Sequence, residues 1–241
     1  MSEIKNELGK QPAVTNPDEL SFHDVSAVRS ALAEGSLNVS FFGWVLWSHA
    51  NIVLEALSQW IREDDVQSEK TRAEFLKQAH GGCWLDIPSG WNHQSEFDKN
   101  DFAKQLGCSQ FVGIDLGAWE RFSRKEEQGY QATYKPREFL TGLGEIPTHS
   151  VNIITICGLE PLRASQEDYN LYMNAFKTEL NRVLHPDGFL ILDERISGRR
   201  GGLQLENSGF RRVSHEEHGC TLGYSRFFRP DATPRPPKFE S

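Results

Sequence analysis

From residue 83 onward, short apolar runs alternate with longer amphipathic segments. The apolar runs are Cys83–Ile87, Phe111–Leu116, Val151–Cys157 and Phe189–Leu192. Runs this short and this continuous read as buried strands. Between them, Phe97 to Leu106 carries helical spacing. So does Tyr169 to Leu184, with Leu171, Met173, Phe176, Leu180 and Val183 as its apolar positions. Strand–helix alternation predicts a largely parallel sheet with helices on both faces. Near the end, Gly209–Val213 and Gly223–Phe228 read as two strands joined by a polar, glycine-containing connection. They predict a terminal antiparallel hairpin.

The first third has a different rhythm. From Phe22 to about Arg62 the pattern is helical, with Ser26 a candidate cap for a helix through Val28, Leu32 and Ala33. Phe41, Val45, Trp47 and Ile52 to Ile61 predict a longer, strongly apolar helix. A further helix runs through Ala73, Phe75 and Leu76, and Gly81-Gly82 is placed to end it. Residues 1–20 are polar and include Pro12 and Pro17, as expected of a mobile arm. The expected division is an arm (1–20), a helical N-terminal cap (21–78), a sheet domain (79–230) and a disordered, proline-rich tail (231–241). No internal repeat is visible.

Composition narrows the function classes. The chain has 241 residues and a formal net charge of −8. An acidic balance argues against broad nucleic-acid or anionic-membrane binding. Residues 1–120 hold 9 basic and 18 acidic residues, and residues 121–241 hold 17 and 16. Arg195, Arg199, Arg200, Arg211 and Arg212 are therefore either a basic cluster or a solvated face. The most apolar stretch, Phe41 to Leu57, is broken by Ser48, His49, Asn51 and Glu55, so a buried or capping helix is expected rather than a bilayer span. Cys83, Cys108, Cys157 and Cys220 form no CxxC pair, which points to free thiols and a cytoplasmic setting.

Candidate chemistry gathers at the ends of the first two apolar runs. Cys83–Ile87 contains Asp86 and passes at once into Pro88-Ser89-Gly90. Twenty-nine residues after Asp86, the next run reaches Asp115. Carboxylates at the ends of adjacent parallel strands stand where open α/β sheets bind nucleotide-like ligands. Each acid also has a plain structural account. Asp86 can tether its loop, and Asp115 can cap a helix.

Four blocks, in order, resemble a class I S-adenosylmethionine-dependent methyltransferase. Trp84-Leu85-Asp86-Ile87-Pro88-Ser89-Gly90 looks like the first strand and its glycine loop. Phe111–Leu116 looks like the second strand with its ribose-binding acid. Val151–Cys157 stands where that family has its fourth strand. Leu180–Leu192, with its Arg182-Val183-Leu184-His185-Pro186-Asp187-Gly188 turn, matches the family's helix, turn and fifth strand. The resemblance spans roughly Ala79 to Pro230. It implies a Rossmann-like, mostly parallel seven-stranded sheet with a C-terminal antiparallel hairpin. It also implies S-adenosylmethionine as cofactor, held by Asp86, Pro88, Ser89, Gly90, Asp115, Leu116, Gly142, Leu143 and Cys157. A carboxylate at Asp115 would accept both ribose hydroxyls. Gly90 would let the backbone approach the amino-acid end.

The chain departs from the family pattern in three places. Pro88, Gly90 and Asn92 stand where three glycines are usual. No acid stands at Gly142, where the family often has one for the adenine amine, and backbone groups of Leu143 or a displaced Glu145 are the candidates to substitute. Asn152 replaces an acid common in the fourth strand. The turn Cys157-Gly158-Leu159-Glu160-Pro161-Leu162 is not the Asn/Asp-Pro-Pro-aromatic turn of enzymes that methylate planar amino groups. Methyl transfer needs alignment first, and a base only when the acceptor must lose a proton. Glu160 and His49 are the catalytic candidates, with a hydrogen-bonded core histidine the competing account of His49. Trp44 and Trp47 read as packing residues. His215-Glu216-Glu217-His218 lacks the helical spacing of a metal pair, so no metal is expected.

The expected function is methyl transfer to a small molecule, with no nucleic-acid or membrane partner. The alternative is a methyltransferase-like protein without that activity, either a binding subunit or an enzyme of other chemistry. A nicotinamide-dependent oxidoreductase fits poorly, because no GxGxxG follows the first strand.

Overall fold

The computed structural model describes residues 22–37, 39–42, 57–58, 60–62, 69–87, 99–116, 124–127, 129–156, 160–163, 165–193, 205, 209–212 and 225–230. The helices with described bounds are α1 (Phe22–Ala33), α2 (Glu69–Ala79), α3 (Lys99–Gln105), α4 (Phe139–Gly144) and α5 (Gln166–Val183), and residues 57–58 and 60–62 are also helical. The strands are β1 (Ser40–Phe42), β2 (Cys83–Ile87), β3 (Gln110–Asp115), β4 (Arg124–Glu127) and β5 (Tyr130–Pro136). They continue with β6 (Val151–Ile156), β7 (Glu160–Arg163), β8 (Leu184–Asp193), β9 (Phe210–Arg212) and β10 (Ser225–Pro230).

The main sheet has the order β4-β5-β3-β2-β6-β8-β10-β9. Its centre, β5-β3-β2-β6-β8, is parallel throughout. β10 pairs antiparallel with both β8 and β9, which gives the expected C-terminal hairpin. The seven expected strands are joined by an eighth, β4, paired antiparallel to β5. β4 is Arg-Lys-Glu-Glu, the kind of charged sequence that discourages further pairing at a sheet edge.

Both faces of the sheet are covered, which is why its central strands are mostly apolar. All five residues of β2 are buried. Leu85 and Ile87 face a core built with Ile114, Ile154, α1, α4 and α5. Trp84 faces the opposite core with Phe111, Ile153, Phe75 from α2 and Ala103 from α3. Val25 and Val28 of α1 belong to the first core, and Leu57 and Trp60 belong to the second. The segment 21–78 thus contributes to both faces.

Local rules explain the element ends. α2 stops where Gly81 adopts φ +71, a conformation that glycine takes without a Cβ penalty. α5 starts at Ser165, whose side chain accepts the Asp168 N–H at 3.0 Å. Two local expectations need correction. Ser26 lies within α1, because the helix already begins at Phe22. Phe41 is in strand β1, paired with Pro161 of β7, and not in a helix. Val39, Phe41 and Phe42 have strand-favouring side chains, and β7 pairs antiparallel with β1. Of the long helix expected through Val45, Trp47 and Ile52 to Ile61, residues 57–58 and 60–61 are helical, and residues 43–56 lie outside the described residues, as do the arm and the tail.

Candidate functional site

The chain leaves β2 toward β3 on one side and later places β6 on the other. That reversal opens a crevice outside the carboxyl ends of β2 and β6, the usual ligand position in such sheets. At these ends Asp86 pairs in register with Gly113 and Thr155, and Ile87 with Ile156.

Asp115 is the last residue of β3, opposite Pro136 of β5. Its carbonyl accepts the Arg137 N–H at 3.0 Å, which anchors its backbone to the neighbouring strand. The residue is half-buried. Leu116 follows with 47% of its surface exposed, a large hydrophobic side chain left at the rim.

Asp86 is different. It is fully buried, on the Trp84 face of β2. Lys99, the first residue of α3, donates to both of its carboxylate oxygens at 2.8 Å. Thr155 Oγ1 donates to Asp86 Oδ1 at 2.5 Å and accepts from Trp84 Nε1 at 3.0 Å. The carboxylate is thus neutralised inside the protein. Its structural account, tethering the chain around the first turn, has a concrete partner.

Gly142 and Leu143 lie in α4. The Gly142 N–H donates to the Glu138 carbonyl at 2.8 Å. The Leu143 side chain is in the core, and its carbonyl accepts from Arg182 Nη2 at 2.8 Å. Glu145, just past that helix, is held by Lys135 at 2.7 Å and Arg137 at 3.2 Å. The hydrogen bond from Lys135, followed by the nearby positive charges, lowers its carboxyl below the ordinary value. Asn152, at the opposite end of β6, accepts the Cys83 N–H at 3.0 Å and donates to Gln78 at 2.9 Å. It ties β2, β6 and α2 together.

Glu160 begins β7, and its backbone pairs with Phe42. This brings the N-terminal segment beside the chain that follows β6. Pro88, Ser89, Gly90, Asn92, Cys157, His49, Trp44, Trp47 and His215–His218 lie outside the described residues.

Two residues of consequence escaped the sequence reading. Lys99 stands 13 positions from Asp86, and no local period links them. Glu138 caps α4, accepting the Leu140 and Thr141 N–H groups at 3.1 and 2.8 Å, and also accepts from the Tyr172 hydroxyl. Burial, then the Glu138 charge, pushes the Tyr172 phenol well above its ordinary value. An acid directly before Phe139-Leu140 was the available signal for that cap.

No protein-family profile matches the chain, and no curated protein matches it. Solved structures do. One is the Burkholderia thailandensis 1,6-didemethyltoxoflavin-N1-methyltransferase with bound S-adenosylhomocysteine. It is 11% identical, with 87% of this chain and 88% of that chain covered, at TM-score 0.40. A TehB-like S-adenosylmethionine-dependent methyltransferase from Corynebacterium glutamicum is 12% identical over 86% of this chain and 98% of that one, at TM-score 0.42. An S-adenosylmethionine-dependent methyltransferase from Mesorhizobium loti is 17% identical over 48% of this chain, at TM-score 0.29. The match spans under half of two of the structures, 43% and 47% of their length. In fold, the chain is similar to S-adenosylmethionine-dependent methyltransferases.

Proposed function

We propose that this chain binds S-adenosylmethionine at the carboxyl edge of β2 and β3 and transfers its methyl group to a small-molecule acceptor. One observation carries the reading. The half-buried Asp115 ends β3 beside the exposed Leu116, next to the crevice where the strand order reverses. The donor set fits the ligand. A carboxylate at a strand tip accepts two ribose hydroxyls, and an exposed leucine offers an apolar surface to a flat base. Pro88, Ser89 and Gly90 follow β2 and would border the amino-acid end, and Cys157 follows β6 on the acceptor side. Asp86 would act from behind the loop, through Lys99.

The cofactor's sulfonium supplies an activated methyl group. The chain's part is to hold the acceptor in line with it and to exclude water. Glu160 and His49 are the candidates to take a proton where the acceptor must lose one. The net charge of −8 supports a small acceptor over a nucleic acid.

Calorimetric titration with S-adenosylmethionine and S-adenosylhomocysteine tests the reading. Binding that Asp115→Ala abolishes supports it, and no heat at millimolar ligand refutes it. The second reading, binding without transfer, is favoured by Pro88 and Asn92 at positions where the resembled family has glycine. Proline removes an amide donor from that loop. Tight binding with no methyl transfer across a panel of small acceptors would select it.

A further inference from the structure

We infer that Lys99 is a positioning residue for the cofactor site, acting through Asp86 to fix the start of α3 against the carboxyl end of β2. The inference rests on the reading that S-adenosylmethionine binds at this edge. Lys99 and Asp86 are both 0% exposed. Each carboxylate oxygen lies 2.8 Å from the one ammonium nitrogen. A second donor, Thr155 Oγ1, reaches the same carboxylate from β6. The network therefore joins β2, α3 and β6.

A buried ion pair is a poor device for stability alone, because desolvating two charges offsets most of their attraction. Apolar residues of similar volume would hold β2 and α3 together about as well. What the pair adds is direction. One nitrogen against two oxygens, with a second donor on a neighbouring strand, allows few arrangements. The residues joined are the two ends of the connection 88–98, so fixing them fixes where that connection starts and stops. The Asp86 charge is cancelled inside the protein, whereas Asp115 is half-buried at the end of β3. Substitutions at the two aspartates should then act differently, Asp115 through direct contact and Asp86 through geometry.

The test uses the full chain carrying Asp86→Asn together with Lys99→Met, which removes both charges and leaves neither buried alone. The expected melting temperature lies within a few degrees of wild type. The expected dissociation constant for S-adenosylhomocysteine rises at least tenfold. Amide exchange in peptides spanning residues 88–98 quickens at least tenfold, while exchange in β2 and β6 stays at the wild-type rate. Wild-type affinity and wild-type exchange in the double variant would overturn the inference. Thr155→Val, a milder change that removes only the β6 donor, is expected to shift both readouts the same way by about threefold. Its having no effect on either readout would count equally against the inference. Should the wild-type chain bind neither ligand, the functional reading falls, and the exchange comparison still decides the role of the pair.

Discussion

Gly142 packs so closely on Ile114 that a methyl group added to it would lie 2.8 Å from Ile114 Cγ2. Ile114 is fully buried and directly precedes Asp115. The glycine is thus explained by the approach of α4 to β3. Gly142→Ala would gain roughly 1 kcal/mol of helix propensity and lose about 1–3 kcal/mol to overpacking. The expected net result is a lower melting temperature and weaker cofactor binding, because β3 must shift beside its acid. Thermal melts with and without S-adenosylhomocysteine check both parts.

The role of Asp115 can be separated from a general loss of binding. Removing one ribose hydroxyl from S-adenosylhomocysteine should weaken binding to wild type by about tenfold, the worth of one charge-assisted hydrogen bond. In Asp115→Ala the same change should cost little, since the acceptor is already gone. Equal losses in both proteins would remove Asp115 from the ribose.

Glu179 holds two arginines from its position inside the protein. Arg182 Nη2 lies 2.7 Å from it, and Arg29 of α1 reaches the same carboxylate oxygen. Arg182 also donates to the Leu143 and Ile146 carbonyls, each at 2.8 Å. Glu179→Ala leaves guanidinium charge in a largely enclosed place and should cost about 3–5 kcal/mol. Arg29→Ala, whose side chain is 29% exposed, should cost less. Urea unfolding of both variants and their combination measures the coupling.

Cys83 and Cys108 are free and buried. Burial first, then the neighbouring Cys108, pushes the Cys83 thiol up to about 12. Burial does the same to Cys108, also to about 12. With Cys157 and Cys220 changed to serine, an aromatic disulfide reagent at pH 8 should react only after unfolding. The folded state favours the protonated thiols. Their contribution is therefore complete below the unfolded value of about 8.5 and is lost as pH rises toward 12. Melting temperature should decline across that window, and less steeply when Cys83 is replaced by alanine, once the cavity cost is subtracted. A rapid native-state reaction at pH 8 would contradict the burial.

Much of the architecture was legible in the sequence because it is written in short-range pattern. β2, β3 and β6 are mostly apolar because both of their faces are covered. α5 has a cap, an apolar stripe and an acidic first turn. β5 was missed for the opposite reason. Tyr130–Pro136 lies toward the edge of the parallel set, only its first and third residues are buried, and Gln131, Thr133 and Lys135 dilute its signal. β1 and β7 are four residues or fewer, too short to show a period.

The sequence by itself determined where β2, β3, β6, β8, β9 and β10 fall, that a hairpin closes the sheet, and that acids stand at or beside the ends of β2 and β3. These follow from the period of apolar positions and from turn chemistry, which neighbours a few residues apart decide. Only the tertiary structure decided what surrounds each acid. Two carboxylates that look equivalent along the chain are separated by the crossover through α3. That crossover carries Lys99 back onto Asp86 and buries both charges, and it leaves Asp115 at the rim. A partner 13 positions away is set by the path of the chain in space, and no local pattern encodes it.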